Sequence, residues 1–361
     1  MKPSHRWLVE LTHLPTTSGR EDRVVRWVER WARRRDEIKV RKDRAGNLLL
    51  TIKGRKSRDP VIATAHMDHP GWVIEGFEGA KAKARFMGGV MPQYFESAPV
   101  VFFDSDDAEH PGRVEEYENG VGVIRLARRS DSLSVGDIGR WRFDKRTLGI
   151  KADLLRAPAC DDLAGVAAAL TALDKARKKP ELRHYGVLLT RAEEVGLLGA
   201  IAAGELGTIP DSARLLSIET SRSFPDSPIG DGPIIRVGDR SSVFDAPLTN
   251  AVTNAVRAAH IPHQRKLMAG GSCEGTAFGA YGLTATGLCL ALGNYHNMFD
   301  IDGVQSGEAD PVLAPEEIAL ADYDGLVDLI LCAAADIDDS RDTIRSRLVE
   351  NYESQKSVLG L

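Results

Sequence analysis

Thr190-Arg191-Ala192-Glu193-Glu194-Val195-Gly196-Leu197-Leu198-Gly199-Ala200 follows the short apolar run Gly186-Val187-Leu188-Leu189. The apolar run reads as a buried strand, and Gly-Leu-Leu-Gly-Ala as the small-residue opening of a helix. Two adjacent carboxylates, Glu193 and Glu194, therefore sit at the C-terminal end of a strand in an α/β pattern, where open sheets place their ligands. Neighbouring side chains point different ways, so one can bind a metal while the other moves a proton. Taken alone, a Glu-Glu pair is a solvated strand end. The residues met on either side of it change that reading.

Upstream, Val61-Ile62-Ala63-Thr64-Ala65 is a buried-type strand that delivers His66-Met67-Asp68. A His at a strand end with an Asp two residues on suits a metal ligand and the carboxylate that orients it or holds the site around it. Asp161-Asp162 precedes an alanine-rich helix from Val166 to about Lys175. Carboxylates are favoured at a helix start in any case; the functional alternative is a bridging metal carboxylate. Downstream, the strand Ala213–Ile218 ends in Glu219-Thr220, and a strand from Leu283 to Leu292 leads to Gly293-Asn294-Tyr295-His296-Asn297. Between them lie a Pro- and Gly-rich loop at 224–239, a helix near Leu248–Ala259 and the glycine-rich turn Ala269–Thr276, which lacks the Lys-Ser/Thr ending of a phosphate-binding loop. Pro315-Glu316-Glu317-Ile318 is expected to open an amphipathic C-terminal helix with acidic residues in its first turn.

At the N-terminus a short helix over residues 5–14 precedes Ser18 and Glu21, which are spaced as a capping box. Val24, Val25, Val28 and Trp31 then follow at helical spacing among arginines, an amphipathic helix with a solvated basic face. Ile38-Lys39-Val40 and Leu48–Ile52 read as a hairpin around Gly46-Asn47. From residue 72 to 150 short β-type runs are separated by Gly, Pro and acidic turns, with no helical period. That texture predicts an inserted, barrel-like all-β domain over 71–150, dividing a catalytic unit of 1–70 and 151–361. Asp104-Ser105-Asp106-Asp107 within it reads as a solvated acidic loop, since it lacks the further ligands of a calcium loop.

A chain of 361 residues exceeds one ordinary core. A net charge of −5 offers no case for nucleic acid or an anionic membrane as partner. Cys160, Cys273, Cys289 and Cys332 are scattered, which argues for a reducing compartment and against a cysteine zinc site. With no apolar signal core and no bilayer-length apolar run, the expected location is cytoplasmic.

Five strand-end or loop positions thus carry metal-type side chains: His66, Asp161, Glu194, Glu219 and His296. Two imidazoles and three carboxylates suit zinc, or cobalt and manganese. If one carboxylate is shared, each of two cations receives one His, one terminal carboxylate and the bridge, and Glu193 remains as a base. The order of these motifs resembles the co-catalytic di-zinc exopeptidase clan, and within it the tetrahedral aminopeptidase family, which includes glutamyl and deblocking aminopeptidases. The insertion between His66 and Asp161 carries that closer resemblance. It implies an α/β, three-layer αβα zinc-exopeptidase fold with a mixed central sheet. It implies His66, Asp161 and Glu219 on one metal, Asp161, Glu194 and His296 on the other, Glu193 as general base and Asp68 as orienter of His66. Asp161 is chosen over Asp162 because the first Asp of the pair bridges in the family. It also implies a peptide substrate and a homo-oligomer, up to a dodecameric shell. The chain departs from the family at Glu219, where Asp is usual. It departs at His69-Pro70-Gly71, where Glu-Ile-Gly is usual, and at Gly293–Asn297, where Arg-Tyr-x-His-Ser is usual. The last two lie where substrate would be read.

In the implied reaction two cations acidify one shared water to a pKa of about 7, Glu193 takes its proton, and the hydroxide attacks the scissile carbonyl. Three other readings compete. A deacylase or carboxypeptidase uses the same metal core. A glycosidase uses paired carboxylates but leaves His66 and His296 unexplained. A metal-bound but inactive assembly protein has no need of Glu193. A carboxypeptidase requires a cationic clamp for the substrate carboxylate, and only Arg222, close after Glu219, offers one here. Asp68, Asp161, Asp162, Glu193, Glu194 and Glu219 make the site acidic enough that two divalent cations leave about two negative charges, which favours a cationic peptide N-terminus. Cys160 is read as packing, and Cys273-Glu274 as either a substrate contact or part of the glycine loop.

Overall fold

Two helices lead the chain, α1 (Pro3–Thr12) and α2 (Asp22–Arg33). The structure, a computed structural model, describes residues 1–54, 58–128, 130–338 and 344–360. Val24, Val25, Val28 and Trp31 turn α2 toward the core while Arg26, Arg30 and Arg33 stay exposed, as helical spacing requires. The capping box does not form. Ser18 and Glu21 are both buried, and each serves a stronger partner across the fold: Ser18 donates to Asp68, and Glu21 accepts from Gly19, Arg191 and Ala192. The antiparallel hairpin of β1 (Ile38–Lys42) and β2 (Leu48–Ile52) turns at 43–47, and β3 (Val61–His66) follows, buried throughout.

The chain then leaves the main sheet. Strands β4 (Gly71–Glu78), β5 (Lys81–Met87), β6 (Pro99–Phe103), β7 (Glu109–Glu118), β8 (Val121–Leu126) and β9 (Ile138–Trp141) close a barrel in the order β4-β5-β8-β7-β6-β9. Trp72, Phe86, Phe95, Phe102 and Trp141 fill its interior, edge to face for the most part: the Trp72 ring lies 4.9 Å from Phe86 and 5.9 Å from Trp141. Gly122 makes room for this, because a Cβ there would lie 2.6 Å from the Trp72 ring. The acidic loop differs in part from expectation. Asp104 is buried and ties the loop by accepting from the Asp106 and Ala108 amides, His110 and Ser132.

After β10 (Gly149–Lys151) and β11 (Leu154–Ala157) the α/β pattern resumes with α3 (Leu163–Ala176), β12 (Tyr185–Thr190), α4 (Leu198–Glu205), β13 (Arg214–Arg222), β14 (Ile234–Asp239), α5 (Ala246–Ala258), β15 (Gln264–Met268), α6 (Glu274–Ala280) and β16 (Thr284–Leu292). The chain ends with β17 (Met298–Phe299), α7 (Ile301–Ser306), β18 (Val312–Leu313), β19 (Glu316–Ala319), α8 (Leu320–Asp336) and α9 (Ile344–Gln355). Two segments correct the sequence reading. The stretch 224–239 contains β14 rather than loop alone. Residues 316–319 are a strand paired with β11, and the helix begins only at Leu320, because Glu316 is drawn inward to accept backbone donors.

Eight strands form one mixed sheet, β1-β2-β12-β3-β13-β16-β14-β15. Alternate residues supply its two faces. Leu48, Leu50, Val61, Ala63, Val187 and Leu189 pack with α1, α2, α3, α5 and α8, whereas Leu49, Ile62 and Leu188 pack with α4 and α6. The central four strands, β12, β3, β13 and β16, are mutually parallel. Their C-terminal ends therefore lie side by side on one edge of the sheet, where ligands bind in such folds.

Candidate metal centre

That edge collects the sequence-singled residues. His66 ends β3, Glu193 and Glu194 follow β12, Glu219 lies within β13, His296 follows β16, and Asp161 precedes α3. His66, Asp161 and Glu194 each place one ligand atom within 4.8 Å of the others. The Asp161 carboxylate stands between two imidazoles, with Oδ1 3.4 Å from His66 Nε2 and Oδ2 3.5 Å from His296 Nε2. Glu194 Oε1 lies 3.2 Å from His296 Nε2, and Glu193 Oε2 lies 4.0 Å from His66 Nε2. Asp162 turns the other way and accepts from Thr220 Oγ1 at 2.8 Å. Glu219 lines the same cavity of about 710 Å³ as Asp161, Glu193, Glu194 and His296.

These groups fit cations. Asp161 Oδ1, Glu194 Oε1, Glu219 Oε1 and His296 Nε2 are buried with no hydrogen-bond partner among the described residues. Orphaned buried polar atoms are costly, and four of them on residues lining one cavity are rarer still. The electrostatics agree. Burial pushes the Glu193 and Glu219 carboxyls up, Glu219 to about 8, and neighbouring carboxylates add to this. Burial works against charge on His66 and His296, yet the surrounding carboxylates hold both imidazoles well above their ordinary range. A cluster that draws protons this strongly has the field that draws divalent cations.

The surrounding hydrogen bonds orient the set. The Asp68 carboxylate accepts from the Glu193 amide at 3.0 Å, the Glu194 amide at 3.1 Å and Ser18 Oγ at 2.6 Å, so it fixes the backbone of both glutamates. His66 Nδ1 lies 3.1 Å from the Asp68 carbonyl and 3.5 Å from its carboxylate. Arg191 and the Ala192 amide are anchored on Glu21, and Gly199 allows α4 to start there, because a Cβ would lie 2.4 Å from the Arg191 carbonyl. Glu316 accepts from the Cys160, Asp161 and His296 amides at 2.6, 3.0 and 2.9 Å, tying two candidate ligands to one carboxylate. His296 Nδ1 donates to the Gly89 carbonyl at 2.6 Å, so a loop between two barrel strands sets this ring's orientation.

Sequence reasoning placed none of Ser18, Glu21, Gly89 or Glu316 at the site. For Ser18 and Glu21 the available signal was a polar run, Thr16 to Glu21, next to a strand-end site; for Gly89 there was none. His69 and Asn297, where the chain departs from the family, also play a different part from the one expected. Both are buried and absent from the cavity wall. His69 bonds to the Asp161 carbonyl at 2.7 Å and to Asn297 Oδ1 at 3.3 Å, so the two departures meet each other behind the site. Replacing Glu316 with Ala orphans three buried amides at about 1–3 kcal/mol each. We expect a lower denaturation midpoint and roughly 10- to 100-fold weaker metal affinity; chelator competition and urea unfolding on the same variant check both.

The cavity beyond the carboxylates is lined by Arg222, Phe224, Arg236, Arg240, Gly270-Gly271-Ser272 and Tyr295. Arg222 pairs with Asp302, and Arg236 is buried beside Glu219. Cys160 is buried behind Asp161 with its thiol pushed up by burial, as packing requires. Cys273 and Glu274 are buried and do not line the cavity, whereas the glycines before them do.

The family described as M42 glutamyl aminopeptidase matches residues 127–308. A putative aminopeptidase of Acetivibrio thermocellus is 28% identical over 70% of this chain and 78% of its own length. The crystal structure of a TET aminopeptidase from a marine-sediment Thaumarchaeota archaeon superposes with a TM-score of 0.76 at 18% identity, over 97% of this chain and 100% of that one. The Pyrococcus horikoshii TET1 peptidase, described as assembling into a tetrahedron or a large octahedral shell, superposes with a TM-score of 0.74 at 21% identity, over 92% of this chain and 99% of that one.

Proposed function

The chain belongs to the M42 glutamyl aminopeptidase family, and from that premise we propose that His66, Asp161, Glu194, Glu219 and His296 hold two divalent cations beside Glu193 as general base. It is a metal-dependent aminopeptidase. The observation that carries the two-cation reading is the division of the Asp161 oxygens between His66 and His296. His66 and Glu219 serve one position, and Glu194 and His296 the other. Zinc suits the mixed nitrogen and oxygen donors, with cobalt or manganese as alternatives. When bound, the cations polarise the scissile carbonyl and acidify the attacking water.

The chain's own residues do the rest. Glu193 accepts the proton of the attacking water and passes it to the leaving amine. Burial pushes this carboxyl up, which strengthens it as a proton acceptor. Asp68, by holding the Glu193 and Glu194 amides, keeps base and ligand in fixed relation. The acidic floor receives the substrate's α-ammonium group, and Arg240, farther out in the cavity, suits an acidic first side chain. Arg222 is engaged with Asp302, which weakens its case as a carboxypeptidase clamp.

The division into a catalytic unit, 1–70 and 151–361, and an inserted unit, 71–150, is supported by the separate aromatic interior of the barrel. A homo-oligomer is the proposed assembly, with a twelve-subunit shell as its form; a monomeric mass by light scattering at micromolar concentration contradicts it. No helix among the described residues is long and apolar enough to cross a membrane.

Matched peptides with free and acetylated N-termini test the substrate reading. We expect the free series to be cleaved one residue at a time, fastest after Glu or Asp, and the acetylated series to be nearly inert. Faster cleavage of the acetylated series moves the assignment to a deacylase.

A further inference from the structure

Tyr295 immediately precedes the ligand His296. Its ring lies almost flat on that imidazole, with centroids 3.8 Å apart and planes 22° apart. The turn that makes this stack is unusual: Asn294, His296 and Asn297 all have positive φ, at 56°, 52° and 66°. Three non-glycine residues in the left-handed region within four positions are costly and persist where the surroundings enforce them. Here the Glu316 carboxylate, the Gly89 carbonyl and the buried Asn297 amide do so.

The Tyr295 side chain lines the cavity together with Asp161, Glu193, Glu194 and Glu219. Tyr94, by contrast, donates to the Phe299 carbonyl at 2.6 Å and Tyr185 to the Ala169 carbonyl at 3.3 Å. Among the described residues the Tyr295 hydroxyl has no hydrogen-bond partner. A phenol hydroxyl is a hydrogen-bond donor, and this one faces the cavity with its donor uncommitted.

We propose that Tyr295 is a catalytic residue whose hydroxyl donates a hydrogen bond to the carbonyl oxygen of the scissile bond as that oxygen becomes negative. The proposal rests on the aminopeptidase reading of the site. The phenol keeps its proton throughout; it neither forms nor breaks a covalent bond. Its ring is pinned by the stack on His296, and its hydroxyl gives up no protein partner on engaging substrate. Such a donor costs no reorganisation at the moment of reaction and strengthens as charge develops. The side chain that orders the ligand ring thereby also serves the reacting oxygen.

Two variants separate donation from stacking, both measured on the zinc-loaded full-length protein. Tyr295→Phe keeps the ring and loses the hydroxyl; Tyr295→Leu loses both. For Tyr295→Phe we expect kcat on a peptide with N-terminal Glu to fall about 100-fold, with KM nearly unchanged and zinc content equal to wild type. Affinity for a phosphinic dipeptide, a tetrahedral mimic, should fall by a similar factor, while affinity for free glutamate stays the same. Tyr295→Leu should also weaken zinc binding. A Tyr295→Phe enzyme with wild-type kcat and phosphinate affinity overturns the proposal and leaves Tyr295 a stacking platform. A wild-type protein that neither cleaves the peptide nor binds the phosphinate overturns the site reading itself, and the proposal with it.

Discussion

Replacing Glu193 with Gln is expected to lower kcat by about 10³- to 10⁴-fold while metal content stays at the wild-type level. The amide keeps the size of the side chain and the backbone bond from the Glu193 amide to Asp68 at 3.0 Å. It removes only the group that accepts a proton. Glu193 Oε2 lies 4.0 Å from His66 Nε2 and is the carboxylate left over once Glu194 has turned toward His296. Loss of activity with metals retained therefore isolates proton transfer from binding. Near-normal turnover in the variant contradicts the assigned base, and loss of metal along with activity makes Glu193 a ligand instead.

Replacing His296 with Ala is expected to remove about one metal equivalent and to abolish hydrolysis. His296 Nε2 is within 3.5 Å of both Asp161 and Glu194 and has no hydrogen-bond partner among the described residues, so the substitution deletes a donor aimed at the shared position. It also frees the Gly89 carbonyl and the face of Tyr295. His66→Ala should empty the opposite position in the same way. Metal analysis of each variant beside its activity reads the result. Two full equivalents retained in either variant would mean that the imidazole is not a ligand.

His66, Glu193, Glu194 and His296 were legible in the sequence because each ends or follows a strand that is largely apolar, and such strands announce themselves. His66 after Val61–Ala65 and Glu193 after Gly186–Leu189 are the clearest cases. The order of the five proposed ligands then pointed to a family whose fold the structure reproduces as one large mixed sheet. What could not be read was the shell around them. Ser18 and Glu21 fit a local cap, yet burial directs both to partners about 50 and 170 positions away, a choice no local spacing reveals. Glu316 reads as a helix start because acidic residues favour that place, but the strand pairing of β19 with β11 carries it beneath Asp161 and His296. The carbonyl of Gly89 has no side-chain signature at all. By sequence His69 and Asn297 lie where substrate would be read, since each neighbours a proposed ligand; the chain turns both inward, where they bond to one another.

The central claim is that one carboxylate, Asp161, joins two cation positions. Calorimetric titration of chelator-stripped protein with zinc, with hydrolysis of a glutamyl peptide followed in parallel, tests it most directly. The account predicts two zinc ions per chain, full activity only when both are bound, and an Asp161→Asn variant in which both affinities fall together. A single equivalent with full activity, or peptide hydrolysis that persists in the stripped protein, would contradict it.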